Sequence, residues 1–135
     1  MDLKTAIRTY QFAERAKSEL IIGSHLTTAL AEFPIQEKPG GKRMLLMLLE
    51  AVRTELEFAQ RDTGHKEFKK AIDHLNEAIS LVESMDLGAA AERVGRAISA
   101  AAPPSSRAFT ASTFCSIRRS ASRTASTTPG MKLSR

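Results

Sequence analysis

The sequence predicts an all-α protein: an up-down antiparallel bundle of about four helices over residues 1–102, followed by a disordered basic tail over 103–135. Three observations carry this. Apolar residues recur at spacings of three and four along four separate stretches, the period of a helix with one buried face. Short turn-forming segments separate the stretches, and connections of a few residues favour antiparallel neighbours. Charge and periodicity both change after Ala102. The first 102 residues hold 14 Lys or Arg against 15 Asp or Glu, whereas the last 33 hold six basic residues and no acidic one. The net charge of +5 therefore belongs to the tail and gives the body no nucleic-acid-binding character.

The first helix is expected from about Asp2 to Phe33, with Leu3, Ile7, Tyr10, Ile22, Leu26, Ala29 and Phe33 as its buried stripe. Asp2 is a natural N-cap, because its carboxylate can accept an amide of the first turn that has no intrahelical partner. Pro34 ends the helix by disfavouring the α conformation in the residue before it. Gly23-Ser24 is where the helix would bend or break.

Pro34 to Gly41 reads as the one clear internal loop, with Pro39-Gly40-Gly41 as turn punctuation. A second helix follows over roughly Lys42 to Arg61, with Leu45, Leu48, Val52, Leu56 and Ala59 on its stripe. The third, about His65 to Ser84, has the cleanest stripe: Phe68, Ile72, Leu75, Ile79 and Val82. Extended backwards, that stripe meets His65, Arg61 and Thr54 and misses Leu56 and Val52. Helices two and three are therefore separate, with Gly64 as the stop between them. The fourth helix, about Leu87 to Ala102, carries Leu87, Ala91, Val94, Ile98 and Ala101, and Pro103-Pro104 stops it.

The pattern Ala-x3-apolar-x2-Ala occurs three times, at Ala6/Tyr10/Ala13, Ala71/Leu75/Ala78 and Ala90/Val94/Ala97. Small residues on one side of a helix let a neighbour approach closely, with the large residue filling the gap between.

The tail contains 13 Ser or Thr among its 33 residues. It lacks the large apolar residues needed to offset its conformational entropy, so disorder is expected. Its composition is also that of a GC-rich gene translated out of frame, which would put the true C-terminus in another frame after Ala102. The coding DNA tests this: an amphipathic pattern continuing past Ala102 in another frame would support it, and a verified open frame would remove it.

Chemistry is sparse. Cys115 is the only cysteine, so no intramolecular disulfide can form, which fits a reducing compartment. The N-terminus lacks the basic-then-apolar layout of a secretory signal. Leu20-Ile21-Ile22 and Met44 to Leu49, the longest apolar runs, fall far short of the roughly 20 residues a membrane span needs. A cytoplasmic protein with no membrane contact is expected. His74 with Asp73 and Glu77 is the densest acid–imidazole cluster, but a di-iron bundle needs Glu-x-x-His pairs and the sequence has none. A solvated face with local ion pairs is the expectation there. His25 and Glu32 share one side of the first helix as boundary residues, and His65 suits a cap or turn. No catalytic residue, metal ligand or cofactor is assigned.

Two features remain. Lys38, Gly40, Gly41, Lys42 and Arg43 combine glycine amides, cations and a helix start, the ingredients of an anion site. The spacing is not that of a P-loop, because Arg43 stands where Ser or Thr is needed. Met44, Met47 and Leu49, with Leu46, surround helix two on more than one face, although Leu45, Leu48 and Val52 already supply a buried stripe. That surplus predicts a second contact, with either another helix of the bundle or a second chain; for a second chain, a homodimer is the leading form and another protein partner the alternative. The expected function is a non-enzymatic interaction or scaffold module. The alternatives are a small-ligand or anion-binding bundle and weak nucleic-acid binding through the tail's Arg118-Arg119-Ser120-Ala121-Ser122-Arg123.

Overall fold

The hydrophobic period resolves into helices at α1 (Leu3–Ala31), α2 (Lys38–Thr63), α3 (Lys66–Glu83) and α4 (Leu87–Ala101). The structure, a computed structural model, describes residues 2–102. The tail, its Cys115 and arginines, and the out-of-frame reading lie outside the described residues. Each helix packs on its neighbours in sequence, and α4 closes the ring against α1. This is the predicted up-down bundle. Among the described residues no helix is long and apolar enough to cross a membrane.

α3 and α4 form the part of the core that hydrophobicity alone dictates. Phe68, Leu75 and Val82 are fully buried on α3, with Val94 and Ile98 on α4. Each such side chain contributes about 1.5–3 kcal/mol by leaving water. Ala71, Ala78, Ala90 and Ala97 are also buried, which lets the two helices close around Leu75 and Val94. The repeated alanine pattern therefore describes this seam. It fails on α1, where Tyr10 is exposed.

The ends of the helices have local causes. The Asp2 carboxylate accepts the Thr5 amide at 2.6 Å, and that hydrogen bond holds its carboxyl below the usual range. Gly64 closes α2 in the left-handed conformation (φ 68°), where a Cβ would be strained. α3 is capped by His65, whose Nδ1 accepts the Glu67 amide. At the other end of α3 the Asp86 amide donates to Leu81 O and the Met85 amide to Val82 O. This is a Schellman turn with Met85 in the left-handed position usually given to glycine (φ 60°). The Met85 side chain packs against the core, which offsets the backbone strain.

Three expectations are corrected. α2 begins at Lys38, so Pro39-Gly40-Gly41 is its first turn and not a loop. Pro39 fits there because an amide of the first turn has no intrahelical acceptor to lose. The buried stripe of α2 is Leu45, Leu49, Val52, Leu56 and Ala59, with Leu49 in the place assigned to Leu48. Leu49 is 0% exposed, so it belongs to the core and cannot act at a surface. A run of leucines offers two phases, and the three-four alternation through Leu45 and Val52 selects Leu49.

The third correction concerns α1. Its buried positions are Ala13, Ala16, Leu20, Gly23, Ser24, Thr27 and Leu30. The stripe expected in the core is exposed instead, including Leu3, Tyr10, Ile22, Leu26 and Phe33. The α1 seam is narrow and selects for size before hydrophobicity. Even Thr27 is fully buried there, its hydroxyl donating to Gly23 O at 2.7 Å.

Candidate functional site

The α1 phase leaves large apolar side chains without a core to fill, and the register of α1 against α2 shows where they lie. Three pairs bridge the two helices: Arg8–Asp62, Phe12–Phe58 and Arg15–Glu55. The residue numbers of each pair sum to 70. Extended along the hairpin, this antiparallel register sets Ile22 level with Leu48 and Leu26 level with Met44. The upper part of the hairpin keeps it. Gly23 faces Leu48 and Leu49, and Gly41 faces Leu30 and Phe33.

The outer face of this hairpin, the side turned away from α3 and α4, has two halves. The half near the α1–α2 turn is apolar. Ile22 and Leu26 on α1 are 46–54% exposed, Phe33 in the turn after α1 is 40% exposed, and Met44 and Met47 on α2 are 70–74% exposed. Leu48 is half-buried among them, and Ala29 and Ala51 add small exposed positions. Exposed Met44, Met47 and Ala51 fall on one stripe of α2 at spacings of three and four, and Phe58 lies on the same stripe two turns further, beyond exposed Thr54.

The other half is charged around an aromatic pair. The Phe12 and Phe58 rings lie 6.1 Å apart, tilted at 60°. Beside them Arg15 reaches Glu55 at 2.8 Å and Glu19 at 3.3 Å, one guanidinium between two carboxylates. Glu55 therefore has its pKa raised, first by a hydrogen bond with Glu19, then by burial and by Glu19's charge, against the lowering effect of Arg15.

On the opposite flank of α1, Leu3, Ile7 and Tyr10 are also exposed. The cross-helix pairs Arg53–Asn76 and Arg93–Glu77 set the levels of α3 and α4. By that register α4 ends near the level of Tyr10, so the first turns of α1 outrun it. Farther along this flank Ser24 is only 6% exposed and the Lys17 side chain 14%, since α4 covers them.

The anion-site candidates do not converge. Lys38 and Lys42 line a shallow cleft of about 560 Å³ with Ile35, Pro39, Met85 and Leu87. The Lys42 ammonium donates to Glu83 O at 2.7 Å, where it offsets the negative end of α3. The Gly41 amide is bonded to Glu37 O, and Gly41 packs against α1. A Cβ on Gly41 would lie 2.6 Å from Leu30 Cδ1, so its role is close approach of α2 to α1. Gly40 and Arg43 are exposed and do not line this cleft.

The histidines are equally dispersed. Glu77 is engaged by Arg93 of α4 at 2.9 Å, and Lys70 by Glu67. His74 is half-buried, and its Nδ1 has no hydrogen-bond partner among the described residues. It is not the solvated residue expected. His25 on α1 and Glu32 at its C-cap are exposed. Among the described residues no three His, Cys, Asp or Glu side chains are grouped to hold a metal.

Of the predicted interface residues, Met44 and Met47 lie on the exposed apolar half, whereas Leu49 does not. Ile22 and Leu26, expected in the core, lie level with Leu48 and Met44 and are exposed. The signal for this was present in the small residues. Ala13, Ala16, Leu20, Gly23, Thr27 and Leu30 keep an unbroken three-four alternation. No family model, curated protein or solved structure matches the chain.

Proposed function

We propose that the chain is a non-enzymatic interaction module that self-associates through the outer face of the α1–α2 hairpin. One observation carries this reading: Ile22 and Leu26 on α1 and Met44 and Met47 on α2 are large, apolar and exposed, and the hairpin register sets them side by side. Single exposed apolar residues are ordinary, but contiguous apolar surface rimmed by charge marks a contact site. Methionine on such a surface adapts to an opposing face, because its side chain is unbranched and flexible. A homodimer is the simplest soluble assembly that covers one patch per chain.

The test is a double substitution, Met44→Glu/Met47→Glu, followed by sedimentation velocity and circular dichroism. The dimer is expected to dissociate while helicity stays intact, since both side chains are more than two-thirds exposed. A variant that sediments as the parent does would remove this surface from the account.

The anion-binding alternative rests on Lys38 and Lys42 alone once Gly41 and Arg43 are placed. A thermal midpoint unmoved by millimolar phosphate would dispose of it.

A further inference from the structure

From the order of residue types along α1 and α2, we infer that two copies pair outer face to outer face about a two-fold axis parallel to the helices. α1 of each copy then lies against α2 of the other. This inference rests on the proposed self-association and adds its geometry.

Residues at equal level on the two helices are complementary in kind. Arg8 is level with Asp62, Phe12 with Phe58 and Arg15 with Glu55. By the same register Ile22 is level with Leu48, and Leu26 with Met44. The cations of these pairs are on α1 and the anions on α2. A two-fold axis along the helices preserves level and exchanges the helices. Arg15 therefore meets Glu55 of the second copy, Arg8 meets its Asp62, Phe58 meets its Phe12, and Leu26 meets its Met44. Each of these four positions finds a partner of the matching kind, while Glu19 falls level with the small Ala51. The charged pairs remain exposed enough to accept it, with side-chain exposures of 69% for Arg15, 36% for Glu55 and 52% for Arg8. Arg15 already serves both Glu19 and Glu55, so this cluster has a carboxylate in excess for a second cation.

A two-fold axis across the helices does worse. It inverts level and sets α1 against α1. Centred on the whole hairpin face, it lays Arg15 over the His25–Leu26 region and Leu26 over Glu14. Buried charge without a partner is costly, so that arrangement is disfavoured. Centred on the apolar half alone, it sends both charged halves past the ends of the partner and leaves Phe58, now 60% exposed, uncovered.

The experiment uses two full-length variants, one acidic (Arg8→Glu/Arg15→Glu) and one basic (Glu55→Lys/Asp62→Lys), with circular dichroism as the check on folding. Each alone should dimerise about a hundredfold more weakly than the parent, because like charges then face each other across the axis. An equimolar mixture should restore a one-to-one heterodimer in native mass spectrometry. Variants that each dimerise as the parent does would overturn the parallel pairing and leave the apolar-face reading standing. A parent that is monomeric throughout would overturn both.

A second measurement leaves the charges alone. Spin labels on Lys66→Cys, in a chain carrying Cys115→Ser, sit at the end of the bundle far from the apolar half. Parallel pairing puts two labels about 30 Å apart, and pairing across the helices on the apolar half separates them by about 65 Å. The longer distance would refute the inference even if the charge variants failed to fold.

Discussion

α1 and α3 answer the same burial requirement in opposite ways. On α3 the large apolar residues are the buried ones, with Phe68, Leu75 and Val82 at 0–2% exposure. On α1 the buried positions are mostly small, from Ala13 and Ala16 to Gly23, Ser24 and Thr27, and the large apolar residues face outward. The difference teaches what a bundle does with surplus hydrophobicity. α3 spends its apolar residues on the fold. α1 packs by shape, keeps its backbone close to its neighbours, and leaves Ile22 and Leu26 facing outward.

The contrast is broken most severely between two neighbours on α2. Leu49→Glu is expected to abolish cooperative folding, because an unpaired carboxylate would have to enter the fully buried core. Met47→Glu, at 70% exposure, should leave the far-ultraviolet spectrum and thermal transition close to those of the parent chain when both are monomeric. Equal damage from both would mean that the two faces of α2 are not distinct.

Next in size is the comparison between the helices themselves. Phe68→Ala should cost about 3–5 kcal/mol in urea unfolding, the sum of lost transfer energy and a cavity. Ile22→Ala, on the outward side of α1, should stay within about 0.5 kcal/mol when measured on the monomer. A large loss at Ile22 would return it to the core.

Two adjacent glycines give a smaller version of the same contrast. At Gly41 a Cβ meets Leu30 at 2.6 Å and the Phe33 ring at 3.0 Å, whereas at Gly40 it meets nothing within 4 Å. Gly41→Ala should therefore destabilise by about 1–3 kcal/mol through overpacking. Gly40→Ala should stabilise by up to about 1 kcal/mol, because alanine loses less conformational freedom in a helix. Opposite signs in denaturant midpoints would establish that α2 touches α1 at the first position and not at the second.

These glycines also show how far the sequence could be read. The α2–α3 break was legible because Gly64 sits where two stripes lose phase. The α3 stripe was legible because its buried residues are large and apolar. The start of α2 was not, since Pro-Gly-Gly carries a turn signature that a first helical turn can accommodate. The phase of α1 was hidden for a related reason. Alanine, glycine, serine and threonine contribute little to a hydrophobic pattern, yet a narrow seam selects them. The outward residues then supplied a stripe that was real but faced solvent. Met44 and Met47 were legible as surplus, whereas their partners on α1 became visible only once the register was known.

The smallest effect belongs to the charged half of the hairpin. Crowding by Glu19 raises the Glu55 pKa in the folded chain above its ordinary 4.5. The folded state then binds more protons than the unfolded one in the window above that value. Glu55's contribution to stability is accordingly full below its unfolded pKa and is lost as pH rises through the raised folded value. Urea midpoints should rise for the parent relative to Glu55→Gln as pH falls from neutral towards 4.5, by roughly a few tenths of a kcal/mol, since the group is largely solvated. A difference independent of pH would mean that Glu19 does not crowd it.

A second copy seated on the outward apolar residues of α1 and α2 requires the chain to dimerise in solution. Native mass spectrometry of the full-length chain over a range of protein concentration tests it most directly. The expected species is two 14.7 kDa chains with no added mass, lost on Met44→Glu/Met47→Glu substitution. A monomer at every concentration would contradict it.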